Sequence, residues 1–256
     1  MLLYQEVNAF VKTTNGNFPN RNFYSAWKGL SEMNYTIIKF EESDLDDDSF
    51  VRSIGDMTPV FAGVTVFDKV IKLKGIDYPK IDTYPEILHP FLNRKVEKST
   101  LGEFRTRWDS DEENRPRLFM KPMEQKKFNG AIMKSILDWM PLAYIAPETP
   151  VYLSEELHFQ SEFRVYIHDQ EILTAKHYMG KWDKMIDRGV VEEAIKTFAP
   201  VAPCAYALDF GVDINGRTTL VEFNDATSLG NYGMCDLWYA EMITSRWVEI
   251  ASNKKT

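Results

Sequence analysis

The sequence predicts an α+β fold, with a small α/β unit followed by a larger body built on antiparallel hairpins. Three observations predict it. Helical and strand-like patterns alternate over the first 80 residues. Strict polar/apolar alternation runs from Glu162 to His168. An Asn215-Gly216 pair separates two strand-like runs, which is the strongest short-range hairpin signal.

In the first unit, Phe23, Ala26, Trp27 and Leu30 recur at helical spacing within 22–33. Residues 35–40 and 59–62 are short β-rich runs, and 64–73 has a helical pattern. This order predicts a parallel βαβ arrangement. Tyr78-Pro79 to Tyr84-Pro85 reads as an extended connector, because proline disfavours helix at the residue before it. A domain boundary is placed there, giving units 1–85 and 86–256. The second unit is expected to hold a helical piece at 86–93, a strand at 118–123, a helix at 131–139 and strands from Val151 onward. A helix at 190–198, two more strands and a final helix from Asp236 follow. The charged segments 41–48 and 109–117 read as solvated loops or helix ends.

Composition excludes several classes. The 256 residues are 44% hydrophobic and 13% aromatic, which rules out a disordered chain. The longest run without charge, 197–208, is twelve residues, too short to span a membrane. Residues 1–6 lack the basic start of a signal peptide. Cys204, Cys235 and four scattered histidines make no zinc pattern. A reduced, cytoplasmic protein is therefore expected. With 38 acidic against 30 basic residues, a nucleic-acid partner is disfavoured.

The segment 204–225 is the most informative. With Asn215 and Gly216 as a two-residue type I′ loop, Asp209 falls opposite Glu222, with Asn224 two further along the same face. Tyr206, Leu208, Phe210, Val212, Val221 and Phe223 would form the core face. Ala205, Ala207, Asp209, Gly211, Leu220, Glu222 and Asn224 would form the other. Opposed carboxylates repel. A cation removes the repulsion, and oxygen donors without His or Cys point to Mg²⁺. The plain alternative is an acidic surface hairpin.

Lys121 lies in the apolar run Leu118-Phe119-Met120-Lys121-Pro122, where it must either snorkel or meet an anion. The following loop, with Lys126, Lys127 and Gly130, either covers phosphates or is merely exposed. Glu162, Arg164, Tyr166 and His168 share one face of an alternating strand. If Asp169-Gln170 is a two-residue turn, His177 falls opposite Glu162.

In chain order these pieces are a strand lysine, a covering loop, an acidic linker with a following glutamate, and Asp…Glu-x-Asn on a hairpin. Together, over about 86–250, they resemble the ATP-grasp ligases. Glu162-Phe163-Arg164 and the ending 222–230 are most similar to the small R-to-K clade, many of whose members occur in phage and bacterial genomes. The resemblance implies two antiparallel sheets clasping ATP. It implies that Lys121 meets the α/β phosphates with Lys127 in the covering loop. Glu155 would meet the adenine amino group, and backbone groups of Glu156, Leu157 and His158 the ring. Glu162 would bind the ribose, and Asp209, Glu222 and Asn224 would hold two Mg²⁺ ions. The implied reaction is ATP-dependent carboxylate–amine ligation through an acyl phosphate, on a peptide, amino acid or other small molecule. Many members carry an arginine where this chain has Leu208, so Arg164 or Arg94 is expected to supply that cation beside Lys121. The segment 227–233 lies near the acceptor substrate in the family, or is simply a turn before the last helix. A kinase on the same fold and a non-catalytic nucleotide-binding module are the alternatives.

Overall fold

The computed structural model describes residues 8–110, 113–124 and 127–253. Gln125 and Lys126 of the expected covering loop lie outside the described residues, as do Asp111 and Glu112 of the second charged segment and the start of the chain at 1–7.

The chain opens with β1 (Asn8–Lys12), α1 (Arg21–Glu32), β2 (Thr36–Phe40), α2 (Asp48–Ser53), β3 (Val60–Phe61) and α3 (Val64–Leu73). Asn20 caps α1 by accepting from the Asn22 amide at 2.9 Å. The three strands form a parallel sheet in the order β2-β1-β3. The parallel arrangement is as expected. Its central strand, β1, went unrecognised because its apolar stretch, Ala9 to Val11, is too short to show a period.

The second part begins with a 3₁₀ turn, Glu86–Phe91. Next come β4 (Val96–Thr100), α4 (Leu101–Asp109), β5 (Leu118–Pro122), β6 (Ala131–Met133), α5 (Ile136–Trp139) and β7 (Pro150–Glu155). The expected helix over 131–139 is corrected by this order. Ala131–Met133 pairs with β5, and only Ile136–Trp139 is helical, started by a Ser135–Asp138 capping box. The remaining elements are β8 (Phe159–His168), β9 (Glu171–Gly180), α6 (Arg188–Phe198), β10 (Ala205–Asp213), β11 (Thr218–Asp225) and α7 (Asp236–Ala251). Two four-stranded antiparallel sheets result, ordered β4-β7-β5-β6 and β11-β10-β8-β9. This is the α+β architecture read from the sequence.

The hairpin β10–β11 departs from the expected turn. Gly216 alone has positive φ, +79°, whereas a type I′ turn needs two such residues. The Asp213 carboxylate accepts from the Asn215 and Arg217 amides at 2.8 and 2.9 Å, which favours a three-residue loop. The register is therefore displaced by one near the turn. A bulge at Val221 on β11, opposite the step from Asp209 to Phe210, absorbs the displacement, so Asp209 still pairs with Glu222. Beyond it, Leu220 joins the core and Val221 faces a cleft, the reverse of the expected assignment. In β8–β9, Asp169 and Gln170 both have positive φ (48° and 67°), as a tight turn requires. Two bulges there place Glu162 opposite Met179 and His177 opposite Phe163, correcting the expected Glu162–His177 pair.

Leu208, Phe210, Leu220 and Phe223 pack with Val191, Ile195 and Phe198 of α6. On the other face, Ala205 and Ala207 join Ala26 and Leu30 of α1 and Tyr239, Ala240 and Ile243 of α7. The last helix thus ties the parallel sheet to the body. Gly29 makes that contact possible, because a Cβ there would collide with the Asp236 carbonyl and Ala240. Gly29→Ala is expected to lower stability by about 1–3 kcal/mol through overpacking, measured by urea unfolding.

Candidate active site

The two antiparallel sheets face each other across a cleft, and the charged side chains of β5, β8, β10 and β11 meet there. Asp209 on β10 lies beside Arg164 on β8 and Glu222 on β11. Arg164 Nε and Nη2 donate to the two Asp209 carboxylate oxygens, each at 2.7 Å. This fork is almost dry, with the two side chains 8% and 3% exposed. Lys121 Nζ reaches across from β5 to Glu222 Oε2 at 2.7 Å. Each carboxylate is thereby neutralised by one cation, Asp209 from the adjacent strand β8 and Glu222 from β5 of the other sheet. The small neighbours of Asp209 do not open a space beside it: Ala207 is packed in the core, and the Phe159 ring fills the place a Cβ on Gly211 would take.

The titration behaviour follows from this burial. Burial pushes the Asp209 carboxyl above its usual range, against the pull of Arg164. Burial also acts to raise Glu222, but Lys121 outweighs it and holds that carboxyl below its ordinary value. Glu162 is raised, first by burial and then by Asp209 and Glu222, while the Tyr178 hydroxyl, donating at 2.6 Å, opposes the shift. Asn224 stands next to the pair, and its side-chain nitrogen is buried without a hydrogen-bond partner. Two carboxylates and the Asn224 amide oxygen are hard oxygen donors of the kind Mg²⁺ takes beside phosphate oxygens, whereas the unpaired Asn224 nitrogen is a hydrogen-bond donor that suits an arriving phosphate oxygen and not a cation. Among the described residues, no three or more His, Cys, Asp and Glu side chains form a metal cluster.

Two cavities meet at Lys121, Gly130 and Glu222. The first, about 420 Å³, is walled by Tyr84, Phe119, Ile132, Glu155, Leu157 and Glu162. The second, about 580 Å³, is walled by Asn22, Phe61, Gly63, Arg164, Asn224 and Tyr232. The expected residues therefore divide. Lys121, Glu155, Glu156, Leu157, Glu162 and Glu222 line the first cavity, and Lys121, Arg164, Glu222 and Asn224 the second. Glu155 accepts from the Lys95 amide at 3.0 Å. Glu156 is held by Arg117 at 2.9 Å. His158 lies outside both cavities, exposed, 3.5 Å from Glu156. Lys127 points away and pairs with Glu124 at 3.5 Å. Arg94 lines the first cavity, but its guanidinium donates to the Leu92, Leu220 and Val221 carbonyls at 2.8–3.1 Å, bracing the β11 bulge.

The sequence put Tyr166 on the face of Glu162 and Arg164 but did not announce Tyr178 or its contact with Tyr232. Tyr178 stacks on Tyr232 at 4.9 Å, and the Arg164 guanidinium sits 5.0 Å from the Tyr232 ring centre. The Tyr166 hydroxyl donates to the Gly230 carbonyl at 2.6 Å. The segment 229–233 is thus fastened to β8 and β9. The only sequence signal was its two glycines, of which Gly233 has φ +81°.

With this geometry in hand, comparison with known proteins is decisive for the family. The profile of the ATP-grasp domain, R-to-K clade family 2, matches residues 91–242, more than half of the chain. The chain belongs to this family. None of the curated proteins matches it. Among solved structures, N5-carboxyaminoimidazole synthetase from Staphylococcus aureus superposes with a TM-score of 0.63 at 9% identity, covering 94% of this chain and 77% of that one. D-cycloserine synthetase DcsG gives 0.55 at 11% identity, covering 93% and 99%. Macrocyclase MdnC from Microcystis aeruginosa MRC, bound with precursor peptide MdnA, gives 0.52 at 10% identity, covering 92% and 98%. These likenesses show the ATP-grasp fold. No described helix is long and apolar enough to cross a membrane.

Glu162→Gln tests the electrostatics. The folded pKa of Glu162 lies above its unfolded value, so ionising it costs stability at neutral pH. That cost is absent well below the ordinary glutamate value of about 4.3. The substitution is expected to raise the melting temperature by about 2 °C at pH 7, and the gain should fade as the pH falls below about 4. Thermal unfolding across pH measures it.

Proposed function

We propose that the protein is an ATP-dependent carboxylate–amine ligase working through an acyl phosphate. The observation that carries this is Glu222, paired with Lys121 where two cavities meet between the clasping sheets, with the Arg164–Asp209 fork beside it on the hairpin. The family supports ATP as the nucleotide. Its base and ribose would occupy the first cavity, against Glu155, Leu157 and Glu162, with the phosphates running over Lys121. Asp209, Glu222 and Asn224 would hold Mg²⁺, one ion or two. Bound there, it would neutralise phosphate charge and brace phosphoryl transfer.

The second cavity would take the substrates. A carboxylate oxygen attacks the γ-phosphorus, the bond to the bridging oxygen breaks, and ADP leaves. The amine then attacks the acyl carbon, inorganic phosphate leaves, and the amine loses a proton. Positioning and charge neutralisation are the protein's main contributions. Arg164 is the better of the two arginines for the second task. Two of its nitrogens orient it on Asp209 while Nη1 faces Gly230 at the cavity wall. Lys121 supplies the other cation. The division at residue 85 gives the first unit a role, since Asn22, Phe61 and Gly63 help wall the substrate cavity. The precursor peptide bound to the fold neighbour MdnC favours an acceptor of peptide type.

Hydroxylamine trapping tests the reaction. With Mg-ATP, hydroxylamine and a panel of amino acids and short peptides, the ligase predicts ADP release together with a hydroxamate. Arg164→Gln should reduce that rate by about 10²–10³-fold. ADP release with a stable phosphorylated hydroxyl product would instead indicate a kinase.

A further inference from the structure

The connector 78–85 does more than join two units. Its Thr83 carbonyl accepts from the Phe223 amide of β11 at 3.0 Å. Asp82 accepts from the Tyr152 hydroxyl of β7, from the Tyr84 amide at 2.9 Å and from Lys98 at 2.8 Å. The connector is thereby stitched to both clasping sheets, and Tyr84 is delivered into the cleft, 4% exposed. Its ring packs edge-on against Tyr152 at 4.9 Å. The Lys121 ammonium lies 4.4 Å from the ring centre and the Arg94 guanidinium 5.5 Å. Lys121 is mostly buried on a short strand and has three rotatable donors. Glu222 pulls it from one side, and a bound nucleotide would compete for it. An aromatic face holds a cation in place without satisfying its hydrogen bonds.

We propose that Tyr84 is a positioning residue of the nucleotide site, holding the Lys121 ammonium where phosphates arrive while leaving its N–H groups free to change partners. The connector is then a third wall of that site. The inference rests on the nucleotide reading of the cleft.

Calorimetric titration with ATP and with adenosine, in the presence of Mg²⁺, tests this. The full chain is compared with Tyr84→Met, Tyr84→Phe, Lys121→Met and the double variant Tyr84→Met with Lys121→Met. Tyr84→Met should weaken ATP about tenfold and leave adenosine within about twofold, because adenosine has no phosphate for Lys121 to meet. Tyr84→Phe keeps the ring and the fold, so its ATP loss should stay within about threefold. On the Lys121→Met background, Tyr84→Met should cost nothing further. The proposal is overturned if Tyr84→Met leaves ATP binding unchanged, weakens adenosine equally, or costs as much without Lys121. It is likewise overturned if Tyr84→Phe loses as much as Tyr84→Met. Should the parent bind neither ligand, the nucleotide reading itself fails, and this proposal with it.

Discussion

The arrangement depends on two carboxylates placed side by side on β10 and β11. Asp209 and Glu222 would repel in a buried hairpin, and each is answered by a cation from another strand. Arg164 comes from the strand beside β10, within one sheet, while Lys121 crosses from the opposite sheet. The second pair therefore also joins the two lobes. Removing one partner of a buried pair leaves an uncompensated charge, at a cost of about 3–5 kcal/mol. A pair that bridges lobes can be exchanged for ligand charge at less cost than one sealed in a core. The Arg164 fork is nearly dry, whereas Glu222 keeps 30% of its side chain exposed. The site thus combines a rigid half with an adaptable one.

Much of this was legible in the sequence because side-chain period and turn chemistry are local. Strand alternation placed Glu162 and Arg164 on one face, and the summed register placed Asp209 opposite Glu222. That pairing survived even though the turn did not form as expected. The Asp213 carboxylate captured the turn amides, the loop grew by one residue, and a bulge restored the register before the site. The Leu220 and Val221 assignments failed at that bulge, which local periodicity does not reveal.

What was not legible depends on tertiary contacts. Nothing near Tyr178 or Tyr232 in sequence says that their rings stack, and nothing near Arg94 says that its donors are spent on bulge carbonyls. The same holds for α7, whose Tyr239, Ala240 and Ile243 pack against helix α1 from the other end of the chain. Family resemblance shares this limit. It assigns Lys121 and Glu155 by motif, and both line the first cavity, whereas Lys127 and His158 line neither cavity and stand beside Glu124 and Glu156.

The central claim is that the cation-paired carboxylates form a metal–nucleotide site. Its most direct test is thermal unfolding with ATP, in Mg²⁺ and in chelator, on the parent and on Asp209→Asn with Glu222→Gln. At about 100 times the dissociation constant, bound ligand should add about 2.7 kcal/mol of stability. The account predicts a Mg²⁺-dependent rise in the parent that the double variant loses. An equal rise in both proteins, or none in the parent at millimolar Mg-ATP, would contradict it.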